Sequence, residues 1–594
     1  MIVCIAEKPS VAMEIAKILG ANSRHDGYME GNGYQVTWTF GHLCQLCPPE
    51  SYNPEWKKWS LEGIPMLPES YNIKVIDNDG IKKQFKTVKQ LFSKATEIVN
   101  CGDAGQEGEL IQRWVMSLCK VKCPVKRLWI SSLTEEAIRE GFKNLKPQSN
   151  YDSLYKAGQA RAIGDWVLGM NASRLYTLKY APYKKTYSIG RVQTPTLAMV
   201  VSRDLEIENF KPTPYWVITT DYRKVTFTCE EGKFSDEAKA KAVLNSIIGN
   251  IFRITSVEEK RGVEQPPQLY DLTSLQVDCN KKFGMSAEAT LKTVQSLYEK
   301  KVTTYPRVDT KYLSDDIFAK CPGILKNLTG YSNYTTNILN KALIKRDKVF
   351  NSSKVTDHHA IIPTGEPLPD NLTSNESKVY DLIARRFIAE FMPACGYAKT
   401  IVTARCASYN FKVTGKTILS PGWQLIYSKL TTDEQEEKKD GEVGNLPRFI
   451  QGEAGEHSPA LVKKMTNPPK RFTEATLLQS METAGKLVDN ELLQEAMKEN
   501  GIGRPSSRAG IIETLIKREY IKRERKNIVT TPIGRELMNI VKYKMLKSPE
   551  LTGEWEHKLR QIERGAYTKE QFMSELTDQI VKIVSEVKQD PYKK

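Results

Sequence analysis

Long apolar runs are missing from this chain. None reaches the roughly 18 uninterrupted apolar residues that a membrane-crossing helix needs, so no span is expected. The opening MIVCIAEKPS has no charged leader ahead of an apolar core, so no secretory signal is expected and a cytoplasmic protein is. Cysteine is sparse, 11 in 594 residues, which suits a reducing compartment and excludes a disulfide scaffold. The one C-x-x-C pair, Cys44 and Cys47, sits in the apolar run GHLCQLCPP, with Cys119 and Cys123 as a distant C-x3-C; core thiols are expected there, not zinc. No cysteine follows Cys406, so no C-terminal zinc ribbon is expected. No glycine loop is followed by Gly-Lys-Ser/Thr and no dinucleotide fingerprint occurs, which argues against an ATP-driven motor.

What the chain has is positive charge. A net charge of +16 and a pI near 9.1 favour a polyanionic partner, with nucleic acid ahead of an anionic membrane surface. The length exceeds a single core and suggests about three to five domains.

Residues 1–150 read as alternating strands and helices: IVCIAE, a helix SVAMEIAKILG with Ser10 able to cap it and Gly20 to end it, the strand-and-turn TEIVNCGDAG, the helix QEGELIQRWVMSLC, the strand VKRLWI, and a helix opened by a capping box from Ser132 to Glu135. This alternation predicts a sheet flanked by helices, with chemistry at the carboxyl ends of its strands. Residues 151–215 read as helical and 216–270 as largely period-two. Residues 271–399 begin helically and carry VTTYPRVDTKYL, 400–455 return to period two, and 456–594 are mainly helical. The charged run TTDEQEEKKDGE is expected to be a solvated loop. The β stretches flank the tyrosine-bearing segment and helical stretches flank those, a nesting that predicts a looped, hinged body.

Glu7 and Lys8 follow the first strand, and Asp103 and Glu107 bracket the glycine turn after a later one. Three carboxylates at neighbouring strand ends would suit Mg²⁺, which takes hard oxygen ligands and shares them with phosphate. Glycines 102, 105 and 108 permit close backbone approach. The blander reading is that Glu107 and Glu109 complement a helix N-terminus. Tyr305 lies two residues before Arg307; a phenol has an ordinary pKa of about 10 and is a poor nucleophile unless something prepares it.

AEKPS with GDAGQEGELI resembles the Toprim domain of type IA topoisomerases, bacterial primases and some nucleases. SIGRVQTPTLAMV, TTYPRVDT, DHHAIIPT, PPKRFTEATLLQSME and GIGRPSSRAGIIETL then follow in type IA order. Over nearly its whole length the chain is similar to the topoisomerase III branch of that family. The resemblance implies a Toprim α/β domain, a β-rich hinge domain, a nucleophile-bearing domain and a helical domain arranged as a toroid. It implies relaxation and unlinking of DNA with Mg²⁺, without ATP or zinc.

By that resemblance Tyr305 is the nucleophile, forming a 5′-phosphotyrosine. Arg307 grips the scissile phosphate and favours the phenolate, Glu7 is a metal ligand or proton donor, Lys8 offsets phosphate charge, and Asp103 and Glu107 bind metal. His358 contacts the scissile region, while His359 is left to orientation or packing. DNA contacts carry over to Ser188, Gly190, Arg191, Val192 and Gln193, to Arg161, Asp165 and Arg174, and more weakly to Arg471, Arg504 and Ser507. Trp59 and Trp166 are candidate stacking faces. The implied partners are single-stranded, negatively supercoiled or catenated DNA, with room for a helicase. The expected form is a monomer associated with the nucleoid.

Two departures stand out: many relatives place an aspartate where Gly105 stands and an arginine where Gln106 stands. They predict a single, weaker Mg²⁺ site and motivate an alternative reading as a DNA-binding paralogue with weakened catalysis. A primase or nuclease leaves Tyr305 unexplained, and a tyrosine relaxase calls for a separate histidine cluster.

Overall fold

The computed structural model describes all residues except 131–132, 134, 183, 356–357, 428–441, 489–490, 498–500 and 592–594. Ser132 of the expected capping box, Asp357, nearly all of the charged run from Thr431 and the last three residues therefore lie outside the described residues.

The first body is a seven-stranded sheet in the order β2-β3-β4-β1-β7-β8-β9. Its strands are β1 (Ile2–Ala6), β2 (Ser23–His25), β3 (Tyr28–Gly31), β4 (Tyr34–Trp38), β7 (Glu97–Cys101), β8 (Val125–Arg127) and β9 (Lys146–Pro147), and a ribbon of β5 (Cys44–Leu46) with β6 (Ile73–Val75) stands beside it. The central strands β4, β1, β7 and β8 run parallel. Helices α1 (Pro9–Leu19) and α4 (Glu135–Lys143) contribute apolar residues to one core, and α2 (Asp79–Lys94) and α3 (Gln106–Cys119) to another. Both faces of β1 are buried, as its unbroken apolar run requires. Cys44 and Cys47 are buried. Ser10 does not cap α1: Lys8 is the N-cap residue, and Pro9, whose fixed φ suits the first helical position, starts the helix one residue earlier. Gly20 ends it at φ 78° as expected.

A second sheet holds β10 (Pro214–Tyr222), β11 (Val225–Cys229), β12 (Phe252–Glu264), β13 (Cys395–Cys406), β14 (Tyr409–Ser420), β15 (Glu442–Val443), β16 (Ala454–Gly455) and β17 (Ser458–Met465). It differs from the expected boundaries in two ways. β17 pairs with β10 along its length, so the sheet extends past residue 455 into the segment read as helical. The supposed period-two stretch also contains α7 (Glu237–Ile247), started by the Asp236 side chain accepting from the Ala238 amide.

Between β12 and β13 the chain loops out as a third body with α8 (Leu272–Phe283), α9 (Ala287–Glu299), α10 (Cys321–Asn327), α11 (Ser332–Leu339) and α12 (Ser374–Ala389) around their own apolar core. The fourth body joins α5 (Asp152–Tyr180) and α6 (Gln193–Glu208) to α13 (Glu474–Glu482), α14 (Glu491–Met497), α15 (Pro505–Lys517), α16 (Pro532–Ile540), α17 (Glu550–Glu563) and α18 (Lys569–Gln589). These share a core except for α14, whose Leu493 and Met497 belong to a smaller cluster. A hairpin missed in the sequence, β18 (Ile521–Glu524) with β19 (Asn527–Thr530), turns at Arg525, φ 54°. Among the described residues no helix is long and apolar enough to cross a membrane.

Candidate active site

The site grows from sheet geometry. β4, β1 and β7 are parallel neighbours, so their carboxyl ends open on one edge. Glu7 follows β1, Asp103 lies two residues past β7, and the turn from Thr39 to His42 follows β4. That turn is pinned to Glu7: Thr39 Oγ1 donates to the Glu7 carbonyl at 2.9 Å and the Gly41 amide at 3.2 Å.

The acid turn is held as tightly. Gly105 sits at φ 152°, a region open to glycine and closed to the aspartate of many relatives. A Cβ on Gly108 would lie 2.0 Å from the Asp103 carbonyl oxygen, so the first turn of α3 packs directly on that backbone. Gly108→Ala is expected to cost about 2–3 kcal/mol by overpacking, read as a lowered thermal midpoint. A variant melting with wild type would show that the turn can yield.

Arg127, fully buried, staples the turn from below. It donates to the Gly102 carbonyl at 2.6 Å and the Asp103 carbonyl at 2.8 Å, and to buried Glu109 at 2.5 Å. The sequence reading missed it; its one signal was an arginine inside the short apolar strand VKRLWI. Glu109, read as helix-end decoration, is the buried partner of Arg127 and Arg113.

The phenol comes from the third body. Thr304 donates its amide to the Ile362 carbonyl at 3.0 Å, Ile362 donates to Thr304 Oγ1 at 2.9 Å, and Thr364 donates to the Val302 carbonyl at 3.1 Å. These bonds lace TTYPRVDT to DHHAIIPT and bring the His358 ring to 4.4 Å from that of Tyr305. Tyr298 meets Tyr305 edge-on at 5.4 Å. Lys8 then bridges the two bodies. Its Nζ donates to the Tyr305 hydroxyl oxygen at 2.6 Å and to Asp103 Oδ2 at 3.4 Å, and stands 3.9 Å from Glu7 Oε1.

The electrostatics follow from burial among acids. Glu7, 8% exposed, is pushed up to about 7 by burial and by the charges of Asp103 and Glu107, against Lys8. Burial, then Asp103 and Glu7, hold the Tyr305 phenol well above its ordinary value, while Arg307 opposes them. Burial also raises Asp103, but Lys8 and a hydrogen bond with the Tyr305 hydroxyl outweigh it and leave the carboxyl below its ordinary range. Burial pushes His358 down to about 4, so the ring is neutral at pH 7, and its buried Nε2 has no partner among the described residues. His359 is buried and bonds the Ala360 carbonyl, an orienting role.

Several expectations change. The cation on the phenol is Lys8; Arg307 is exposed and makes no ion pair among the described residues. Glu107 turns to His42, whose Nε2 lies 2.5 Å from its Oε1, a partner the sequence reading did not single out. Among the described residues no three histidine, cysteine or acid side chains stand close enough to hold a metal ion as they lie. The donor set still suits Mg²⁺ chemically: hard oxygens at adjacent strand ends whose mutual repulsion already raises Glu7.

The expected DNA contacts divide. Arg161 forks onto Glu556 of α17 at 2.5 and 2.7 Å. Arg191, nearly buried, donates to Asp165 at 3.0 Å and Glu556 at 3.2 Å. Arg161 and Asp165 are therefore linked through α17 and Arg191, not to each other. Arg174 is 7% exposed, donates to the Trp56 carbonyl and lies 5.0 Å from the Trp59 ring. It braces EWKKW from beneath. Trp59 is 41% exposed, whereas Trp166 meets Tyr52 and Tyr71 edge-on and packs on the helical core. Gln193 donates to Ser188 Oγ at 2.8 Å, and a Cβ on Gly190 would crowd the Gln193 amide at 2.9 Å. Val192 packs against the helical core, Arg471 pairs loosely with Asp204 and Glu524, Arg504 reaches Gln106, and Ser507 is exposed.

Comparison with known proteins gives this arrangement a lineage. Residues 149–574 match the DNA topoisomerase family and residues 2–133 the Toprim domain. The chain is 41% identical to DNA topoisomerase 3 of Bacillus thuringiensis (strain Al Hakam), across 99% of this chain and 82% of that protein. It is 38% identical to DNA topoisomerase 3 of Bacillus subtilis (strain 168), over the same shares. The full-length topoisomerase I structure from Thermotoga maritima superposes with a TM-score of 0.71 at 25% identity, covering 98% of this chain and 90% of that one. A Toprim sheet presenting acids to a tyrosine on a separate body, with such likeness end to end, places the chain in the type IA DNA topoisomerase family, similar to its topoisomerase III members.

Proposed function

We propose that Tyr305 opens one DNA strand, that the third body swings away so another strand can pass, and that the break is then resealed, relaxing negative supercoils and unlinking DNA without ATP. The carrying observation is the contact of Lys8 with Tyr305 and Asp103 across two bodies. The phenolic oxygen bonds to phosphorus as the bond from phosphorus to the 3′-oxygen breaks. The phenolic proton is lost to water while Lys8 holds the phenolate, and Glu7 delivers a proton to the leaving 3′-oxygen. Phosphodiester energy stays in the tyrosyl ester, so the 3′-hydroxyl reverses the step with no external fuel.

Lys8 holds the incipient phenolate, exposed Arg307 meets the incoming phosphate bidentately, and neutral His358 offers its free Nε2 to a phosphate oxygen. Asp103 and Glu107 would hold Mg²⁺, with Glu7 protonated beside them, and the ion would supply positive charge for phosphate and strand positioning. The four bodies are the moving parts, with boundaries near those of the two sheets, and the gate lies where Lys8 meets Tyr305. Single-stranded DNA is the bound form, and the monomer is the working unit.

The test is polarity of attachment. With single-stranded DNA labelled at its 3′ end, denaturant quenching should leave label on the protein; with 5′ label it should not. Label retained from the 5′ end would sink the 5′-phosphotyrosine assignment. A pH dependence follows from Glu7. A carboxyl raised to about 7 is protonated below that pH and loses its proton above it, so adduct yield at fixed sub-saturating Mg²⁺ should fall as pH rises through about 7. Glu7→Gln should lack that limb, and an unchanged limb in the variant would assign it elsewhere.

A further inference from the structure

Gln106 is the first residue of α3, beside Glu107, yet its side chain leaves the acid turn. It is 5% exposed. Its amide donates to Glu563 of α17, and its carbonyl oxygen accepts from Arg161 Nε at 3.2 Å and from Arg504 Nη2 at 2.8 Å. One neutral side chain thus ties the acid turn to α5, to the segment before α15 and to α17. The backbone leaves it little slack, because a Cβ on Gly158 of α5 would lie 2.9 Å from the Gln106 carbonyl.

The chemistry of the amide matters here. A carboxylate at this position would order both guanidinium groups but cancel charge, as Glu556 does for Arg161 and Arg191. An arginine would repel both. An amide oxygen accepts from two guanidinium groups without adding a charge of its own, so Arg504 is ordered and not neutralised by it, while its N–H₂ anchors on Glu563.

We propose that Gln106 is a positioning residue for the DNA strand, setting Arg504 as a phosphate donor where the strand groove meets the acid turn, with Arg161 held beside it on Glu556. The proposal rests on the groove reading above. Gln106 then fills a specific role in this chain and is not a mark of lost catalysis.

The test measures binding of a fluorescent single-stranded oligonucleotide by anisotropy across a KCl series, beside adduct yield at saturating DNA. Gln106→Ala should weaken binding about tenfold, the scale of hydrogen bonds to charged groups, while saturating adduct yield stays within about threefold. Gln106→Glu should make the plot of log K against log salt shallower by about 0.7, one phosphate contact's worth on single strands. A purely structural role would not move that slope, and the glutamate keeps the test open if the alanine variant unfolds. Wild-type affinity and slope in both variants overturn the proposal. So does an alanine variant that loses saturating cleavage with unchanged affinity, which would assign Gln106 to the acid turn alone. Arg504→Ala separates the two readings. If it binds like wild type, the groove reading fails; if it weakens and Gln106→Ala does not, only this inference fails.

Discussion

Tyr305→Phe is expected to abolish the covalent adduct and all relaxation of supercoiled DNA while leaving single-strand affinity within about threefold. Phenylalanine keeps the ring that packs against His358 and Tyr298, so the pocket should survive. What is lost is the oxygen that accepts from Lys8, the proposed nucleophile. In the free protein that oxygen is held protonated, by burial first and by Asp103 and Glu7 next. On the proposed mechanism the nucleophile is therefore latent, and attack would await a phosphate at Arg307 and a metal ion offsetting the acids. A latent phenol limits stray alkylation of the site, and it makes cleavage conditional on a bound strand. Residual adduct in the phenylalanine variant would point to another nucleophile and overturn the assignment.

The second large effect is expected at Lys8. Its ammonium donates to the phenolic oxygen at 2.6 Å, where negative charge develops as the phenol loses its proton and returns as the ester breaks on resealing. Removing one such donor commonly costs about 10²–10³ in rate. Lys8→Met should lower both cleavage and religation by that order, with DNA affinity changed less than about tenfold. A second consequence is structural. Lys8 with Tyr305, Lys301 with Glu14, and Lys320 with Glu136 join the first body to the third, so Lys8→Met removes one tie across the proposed gate. Solution scattering or an interbody distance probe should then report a larger open population. If cleavage is unchanged, Lys8 only latches the gate; if the gate population is unchanged, it acts only on the phenol.

The inactive-binder reading loses its motive here. Gly105 adopts a backbone conformation that aspartate would resist, and Gln106 is fully engaged by four neighbouring groups' hydrogen-bonding chemistry or packing. Each departure has a local structural use, and the Lys8, Asp103 and Tyr305 contact is assembled around them.

The sequence by itself determined the parts that depend on local pattern. The unbroken apolar run of β1, the glycine turn after β7 and the amphipathic α3 fix where Glu7, Asp103 and Glu107 emerge, because a parallel strand flanked by helices exposes chemistry only at its carboxyl end. The motif order fixed the family, and with it Tyr305 and His358 as members of one site. Boundaries were less legible: β17 lies in a segment read as helical, the β18–β19 strands have four residues each, and α7 begins at a cap inside a period-two stretch.

Only the tertiary structure decided which charges meet. Lys8 and Tyr305 are 297 residues apart and Gln106 and Arg504 are 398 apart, and no periodicity encodes such pairings. The same holds for His42 on Glu107, for Arg127 beneath the acid turn, and for Arg174 turned inward on EWKKW. A basic residue in a sequence motif can face DNA, an acid or a carbonyl. Which it faces depends on packing between bodies, where burial makes an unpaired charge costly and so selects the partner.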